Sequence, residues 1–231
     1  MDSSIKFMNK KSLKFEEAYF KGKKSTYTAA YDYKAGNIAM VYKERALEIL
    51  QKYVSKNAKI LDAGCAFGDL LALLDENNFT TYGIDISQYA LNRAKKITKA
   101  QLILGNLNKK LPYKDNFFDA VFVLDVIEHL ESPYQFLLEM QRVLKKGGIL
   151  FVQTPNINSI FERFAKEKWF AYTDQTHLYL FNRKSLRFIL EKSGFTVLYN
   201  QTISAPFPFV IRFLVKNTDI GGNLWVVSQK V

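Results

Sequence analysis

The chain has 231 residues, 48% hydrophobic and 24% charged, which suits one sizeable domain with an apolar core rather than a disordered chain. Two histidines and a single cysteine, Cys65, exclude an intramolecular disulfide and argue against a His/Cys zinc cluster, so no metal site is expected. No run of about 18 apolar residues suggests a membrane-spanning helix, and the first residues carry no signal-peptide pattern, so a cytoplasmic protein is expected.

Residues 1–37 are basic and Tyr-rich, with lysines at 6, 10, 11, 14, 21, 23 and 24. They are read as a separate N-terminal segment, a candidate flap, ahead of a domain over 38–231. The net charge of +11 reads first as a solvated lysine-rich surface and second as attraction to an anionic partner. Val41, Ala46, Leu47 and Leu50 lie near helical spacing, which predicts an amphipathic helix over 38–54. Strands and helices then alternate. Strands are predicted over 59–63, 81–85, 101–104, 118–124, 149–153, 195–202 and 224–228. Helices are predicted over 69–77, from the Ser87 cap to about Thr98, and over 133–144, 158–168 and 185–193. Phe118 to Leu124 is nearly all apolar, as in a strand buried on both faces. Lys145-Lys146-Gly147-Gly148 is expected to end one helix and lead into the next strand. The apolar stretch 205–214 is read first as core packing between the last strands, with a lid, a dimer contact and a membrane-surface patch as alternatives. The alternation implies βαβ units and a largely parallel sheet.

The sharpest local signal is Ile60-Leu61-Asp62-Ala63-Gly64-Cys65-Ala66-Phe67-Gly68, where a strand delivers a carboxylate into a glycine turn and a helix follows. Glycines let the backbone approach a ligand, and the helix start offers unpaired N–H groups. Asp85 ends the next strand, where a carboxylate can accept both hydroxyl protons of a ribose. A nicotinamide dinucleotide site fits less well, because the Gly64-to-Gly68 spacing departs from G-x-G-x-x-G.

Five segments in order make the chain resemble the class I S-adenosylmethionine-dependent methyltransferases over residues 58–153. They are Leu61 to Gly68, Tyr82 to Ser87, Leu104 to Leu107 with the following Leu111 to Asp119, Val123 to Leu130, and Val143 to Gly148. Thr154-Pro155-Asn156, Asp174 to Tyr179, Ser185-Leu186 and Ser193-Gly194-Phe195 extend the likeness toward ubiquinone-pathway-like O-methyltransferases and enzymes of bacterial glycan assembly. The resemblance implies an α/β Rossmann-like fold: a doubly wound, seven-stranded, mostly parallel sheet with one antiparallel strand. It implies S-adenosylmethionine as cofactor and S-adenosylhomocysteine as product. It implies that Asp62, Gly64, Cys65, Ala66 and Gly68 shape the turn under the methionine portion, with Asp62 as turn-orienting as it is ligand-facing. Asp85 would take the ribose hydroxyls, Ile86 and Leu107 would flank adenine, Asn106 would accept from its amino group, and Asp125 would lie near the methionine end. Ala66 stands where the family usually has glycine, and Asn106 where it usually has aspartate, which implies altered cofactor affinity.

An oxygen or nitrogen acceptor benefits from a base. His177 is the leading candidate and His129 the second; each has a plain structural reading as well. Trp169, Phe170, Tyr172 and Tyr179 are candidate walls of the acceptor pocket, and Tyr27, Tyr31 and Tyr33 candidate residues of a closing flap. The expected acceptor is an oxygen of a small molecule, a sugar or a lipid-linked glycan intermediate. RNA methylation, a non-catalytic S-adenosylmethionine-binding or scaffold role, and peripheral membrane contact stay open as alternatives, with nucleic acid not favoured because no RNA-binding module is evident. Neither the oligomeric state nor the acceptor is legible.

Overall fold

Side chains alternate between two faces along a strand, so a sheet covered on both sides must be apolar at nearly every position. The central strands meet that demand. A computed structural model describes residues 15, 17–21, 47–48, 50–203 and 218–231. Within them lie α1 (Glu17–Lys21), β1 (Lys59–Ala63), α2 (Asp69–Glu76), β2 (Thr80–Asp85), α3 (Gln88–Ala94), β3 (Gln101–Leu104) and β4 (Phe118–Leu124). A 3-10 turn (Ile127–His129) follows, then α4 (Pro133–Val143), β5 (Leu144–Pro155), α5 (Ile160–Ala165), α6 (Phe170–Thr173), α7 (Arg183–Lys192), β6 (Phe195–Ile203) and β7 (Asn223–Lys230).

The strands form one seven-stranded sheet in the order β3-β2-β1-β4-β5-β7-β6. β1, β2, β3, β4 and β5 pair in parallel, and β7 runs antiparallel to both β5 and β6. The expected mostly parallel sheet with one antiparallel strand is therefore present. Leu61, Ala63, Val121, Val123, Leu150 and Val152 point to one face, where Phe136, Leu137 and Met140 of α4 and Leu186 and Leu190 of α7 cover them. Ile60, Phe122, Phe151 and Trp225 point to the other, against Leu50 and Leu70 and Leu74 of α2. Phe122 and Phe151 stack there with centroids 4.4 Å apart.

Several elements differ from the sequence expectation. The last predicted helix begins at Arg183 rather than Ser185, because Asn182 caps it: the Ser185 N–H donates to Asn182 Oδ1 and the Asn182 N–H donates back to Ser185 Oγ. The helix capped by Ser87 ends at Ala94, short of Thr98. Lys145 to Gly148 belong to β5 as a bulge, since Phe118 pairs with Leu144 and the next partner pair is Ala120 with Ile149. The predicted helix 158–168 is α5 followed by a 3-10 turn over Lys166–Lys168, with Lys166 at φ 48°. Of the predicted helix over 38–54, Leu47, Glu48 and Leu50 are helical. Most of the basic N-terminal segment, Tyr27, Tyr31, Tyr33 and all of 205–214 lie outside the described residues. No helix among the described residues is long and apolar enough to cross a membrane.

Candidate active site

Strand order reverses between β1 and β4, so a crevice opens at their carboxyl ends, the place where open α/β sheets bind ligands. The Gly64–Gly68 turn, Asp85 and Asp125 lie at the carboxyl ends of β1, β2 and β4. After Ala63, the Gly64 N–H donates to Ile84 O (2.8 Å), which folds the turn back over β2. Gly64 has φ +90°, and a Cβ there would lie 2.3 Å from Val126 Cγ2, so only glycine fits. Asp85 ends β2 and ties the crevice together. One carboxylate oxygen accepts from the Ala66 N–H (2.8 Å) and the other from the Ser87 N–H (2.8 Å). Ala66 holds φ +43°, a left-handed conformation that glycine would adopt without strain.

Gly68 caps α2 through its backbone alone, with no side-chain bond to the helix start. Asp62 is buried inside β1, and Cys65 is buried beside it. Burial first, and then the Asp62 and Asp85 carboxylates, push the Cys65 thiol up, so it stays a neutral packing group. Ile86 is half-buried and Leu107 is buried among Ile84, Leu111 and Leu130. Asn106 Oδ1 accepts from the Asn108 N–H (2.9 Å), an Asx turn that holds the loop after β3. Asp125 follows β4 at φ +54°; its N–H donates to Gln153 O (3.0 Å), and its carboxylate accepts from Gln153 Nε2 (3.0 Å).

Both histidines lie at the same edge, with ring centroids 4.7 Å apart. His129 comes from the 3-10 turn after β4. His177 comes from the loop after α6, which the Leu178 and Tyr179 N–H groups pin to Glu128 O (2.7 and 3.1 Å). His177 Nδ1 lies 2.8 Å from Ala171 O, and a carbonyl only accepts, so Nδ1 carries the proton. Its Nε2 lies 4.0 Å from Asp174 Oδ2, too far for a hydrogen bond. The Thr176 hydroxyl donates to Asp174 Oδ1 (2.5 Å), so its oxygen accepts from His129 Nδ1 (2.9 Å). Both rings are thereby fixed as the Nδ1–H tautomer by groups behind them.

Two residues escaped the sequence reading. Glu128 is buried and accepts from Thr154 Oγ1 (2.9 Å), and burial followed by the Asp125 charge pushes its carboxyl well above the ordinary range. Tyr19 of α1 has its hydroxyl pushed up by burial and then by Asp174, Glu128 and Asp125, while a hydrogen bond with Thr176 acts the other way. Glu128 adjoins a singled-out histidine and was legible as an acid before a base; nothing in sequence places Tyr19 there. Of the expected acceptor walls, Trp169 is buried, whereas Phe170, Tyr172 and Tyr179 are exposed.

Residues 38–200 match a family model described as a methyltransferase domain. A Methanocaldococcus jannaschii protein is 32% identical over 165 residues, covering 71% of this chain and 66% of that one. A ubiquinone biosynthesis O-methyltransferase of Rickettsia conorii is 31% identical over 121 residues, covering 49% of this chain and 40% of the relative. The match thus spans 40% to 66% of these relatives' own length. A crystal structure described as a SAM-dependent methyltransferase from Archaeoglobus fulgidus superposes with a TM-score of 0.67 at 19% identity, over 88% of this chain and 100% of that one.

Proposed function

The chain belongs to the methyltransferase-domain family, and from that premise we propose that it transfers a methyl group from S-adenosylmethionine to an oxygen of a small molecule, a sugar or a lipid-linked glycan intermediate. The observation that carries this reading is the Asp85 carboxylate joined to the Gly64–Gly68 turn, with two oriented histidines at the same sheet edge. When bound, S-adenosylmethionine supplies an electrophilic methyl group on its sulfonium and is released as S-adenosylhomocysteine.

The donor set fits that cofactor. An anionic acceptor at the end of β2 suits a diol, whose hydroxyls only need somewhere to donate. Half-buried Ile86 and buried Leu107 give the flat apolar flank that an adenine requires, and Asn106 ties the turn that carries Leu107. Gly64, Cys65, Ala66 and Gly68 hold the backbone of the methionine end, Asp62 anchors it from inside β1, and Asp125 closes it from β4. His129 follows Asp125 by four residues and His177 packs against His129, the ring centroids 4.7 Å apart, and the two act on the acceptor by making its proton easier to remove. Orientation of both rings in advance lowers the cost of aligning the acceptor with the methyl carbon.

Calorimetric titration with S-adenosylmethionine and S-adenosylhomocysteine tests the reading. Saturable binding is expected, and Asp85→Ala should weaken it tenfold or more, about 1.4 kcal/mol. Well-folded wild-type protein that binds neither compound overturns the reading.

A further inference from the structure

Counting histidines and cysteines finds no metal cluster in this chain, because the count leaves out carboxylates and contacts across the sheet edge. One donor atom each from Glu128, His129 and His177 lie within 4.8 Å of one another. The three are not sequence neighbours as a set. His177 reaches the other two because the loop after α6 is bonded to Glu128 O by two successive N–H groups.

Glu128 supplies an observation independent of this spacing. Its residue is 1% exposed, yet among the described residues Oε1 meets no hydrogen-bond partner, while Oε2 accepts from Thr154. A buried carboxylate oxygen left without a donor is costly, and a proton or a cation must satisfy it. The histidines carry the supporting pattern that metal-binding imidazoles have. His177 Nδ1 donates to the Ala171 carbonyl, and His129 Nδ1 donates to Thr176, whose hydroxyl is held by Asp174. Each ring therefore carries its lone pair on Nε2. In His177 that atom lies 4.0 Å from an Asp174 oxygen, beyond hydrogen-bond reach.

We infer that Glu128, His129 and His177 form a binding site for one divalent first-row transition cation. Two imidazole nitrogens and one carboxylate oxygen favour Zn2+, Co2+, Fe2+ or Mn2+ over Mg2+, which prefers an all-oxygen shell. Three protein ligands leave coordination positions open. Asp125 and Asp174 add negative charge nearby, through their effect on Glu128. The catalytic half of the inference rests on the methyl-transfer reading above. An acceptor hydroxyl bound at an open position loses its proton to water, the O–H electron pair stays on oxygen, and the histidines act through the cation rather than as direct proton acceptors.

The test of the site itself needs neither acceptor nor S-adenosylmethionine. Chelator-treated full-length protein is titrated with Zn2+ and Co2+ by calorimetry, and the visible spectrum of the Co2+ form is recorded. One cation per chain is expected, with nitrogen-ligand Co2+ bands. Glu128→Gln keeps the shape and the Thr154 bond but loses the charge, and His177→Ala removes one nitrogen; each should weaken binding tenfold or more. Circular dichroism of both variants separates lost ligands from lost fold, and His177→Gln serves if His177→Ala unfolds. Absence of saturable binding, or variants that bind as wild type does, overturns the site. Retained cation binding with methyl transfer indifferent to a chelator overturns the catalytic half and leaves the site standing.

Discussion

At the scale of single residues, the crevice is built by positions where one atom decides the outcome. A methyl group at Gly64 would meet Val126 Cγ2 at 2.3 Å and would also stand at φ +90°. Gly64→Ala should therefore cost about 1–3 kcal/mol from overpacking and a further 1–2 kcal/mol, roughly, from left-handed strain. Thermal unfolding should fall by about 2–4 °C for each kcal/mol. The double variant Gly64→Ala with Val126→Ala should recover the packing loss but keep the strain, so its midpoint should lie between wild type and the single variant. A double variant no more stable than Gly64→Ala would mean that Val126 is not the obstacle. The glycine turn and Asp85 were legible because their chemistry is local: a tight bend needs glycine, and the carboxylate sits one strand later. The Asx turn at Asn106 was not anticipated, since a side-chain oxygen that can serve adenine can equally serve the Asn108 N–H. Glu128 was missed as a ligand for a different reason. Its partner His177 is distant along the chain, and only the loop packed on Glu128 O joins them.

At the scale of elements, capping and charge clamps set boundaries that periodicity leaves blurred. The hydrophobic pattern found the seven strands. It placed the start of α7 two residues late, because Arg183 and Lys184 are polar and the signal lay in the Asn182–Ser185 reciprocal cap. The elements α1 and α6 span 5 and 4 residues, too short to show a helical period at all. Arg142 near the end of α4 makes a clamp of another kind. It donates to Glu139 (2.6 and 2.8 Å), Asp115 (2.7 Å) and the carbonyls of Tyr113 and Leu111, while the Leu111 N–H donates to Glu139. The clamp fastens the loop between β3 and β4 to the helix. Burial raises the Glu139 carboxyl, but the bonds from Arg142 and Leu111 and the Arg142 charge outweigh it and hold it below its ordinary value. A carboxyl lowered in the folded state stabilises the fold above its unfolded pKa of about 4.3, and that stability drains away as pH falls through the folded value. Arg142→Met should cost about 2 kcal/mol at pH 7 and less at pH 3, which lies below the ordinary carboxyl value, where the stability from a lowered carboxyl is already diminished. Urea midpoints at the two pH values check this; an equal loss at both would assign the effect to packing alone.

At the scale of the whole molecule, the sheet supplies the crevice, and Phe15 and α1 pack against residues on both sides of it. The lead-in residues were read as a candidate flap carried by Tyr27, Tyr31 and Tyr33; the described contacts come from nearer the N-terminus. Phe20 of α1 is buried against Phe67 of the glycine turn (centroids 4.8 Å) and lies 6.0 Å from Tyr89 of α3. Phe15 meets the His129 ring edge-on at 5.5 Å, and Tyr19 faces Asp174, Glu128 and Asp125. One short segment thus touches both the β1–β2 side and the β4–β5 side of the switch point. A segment that bridges a crevice in this way excludes water from it, which strengthens every polar interaction inside. Aromatic residues serve such a seat well, because each ring covers a large apolar area with few rotatable bonds to fix. Phe20→Ala removes the ring on the turn while leaving Asp85, Gly64 and both histidines in place. Its expected effect is a threefold to tenfold rise in the S-adenosylmethionine Kd, up to about 1.4 kcal/mol, with the far-UV spectrum unchanged. Calorimetry on the variant decides. An unchanged Kd would reduce α1 to a packing element beside the crevice, whereas a loss confined to affinity would make α1 part of the cofactor site.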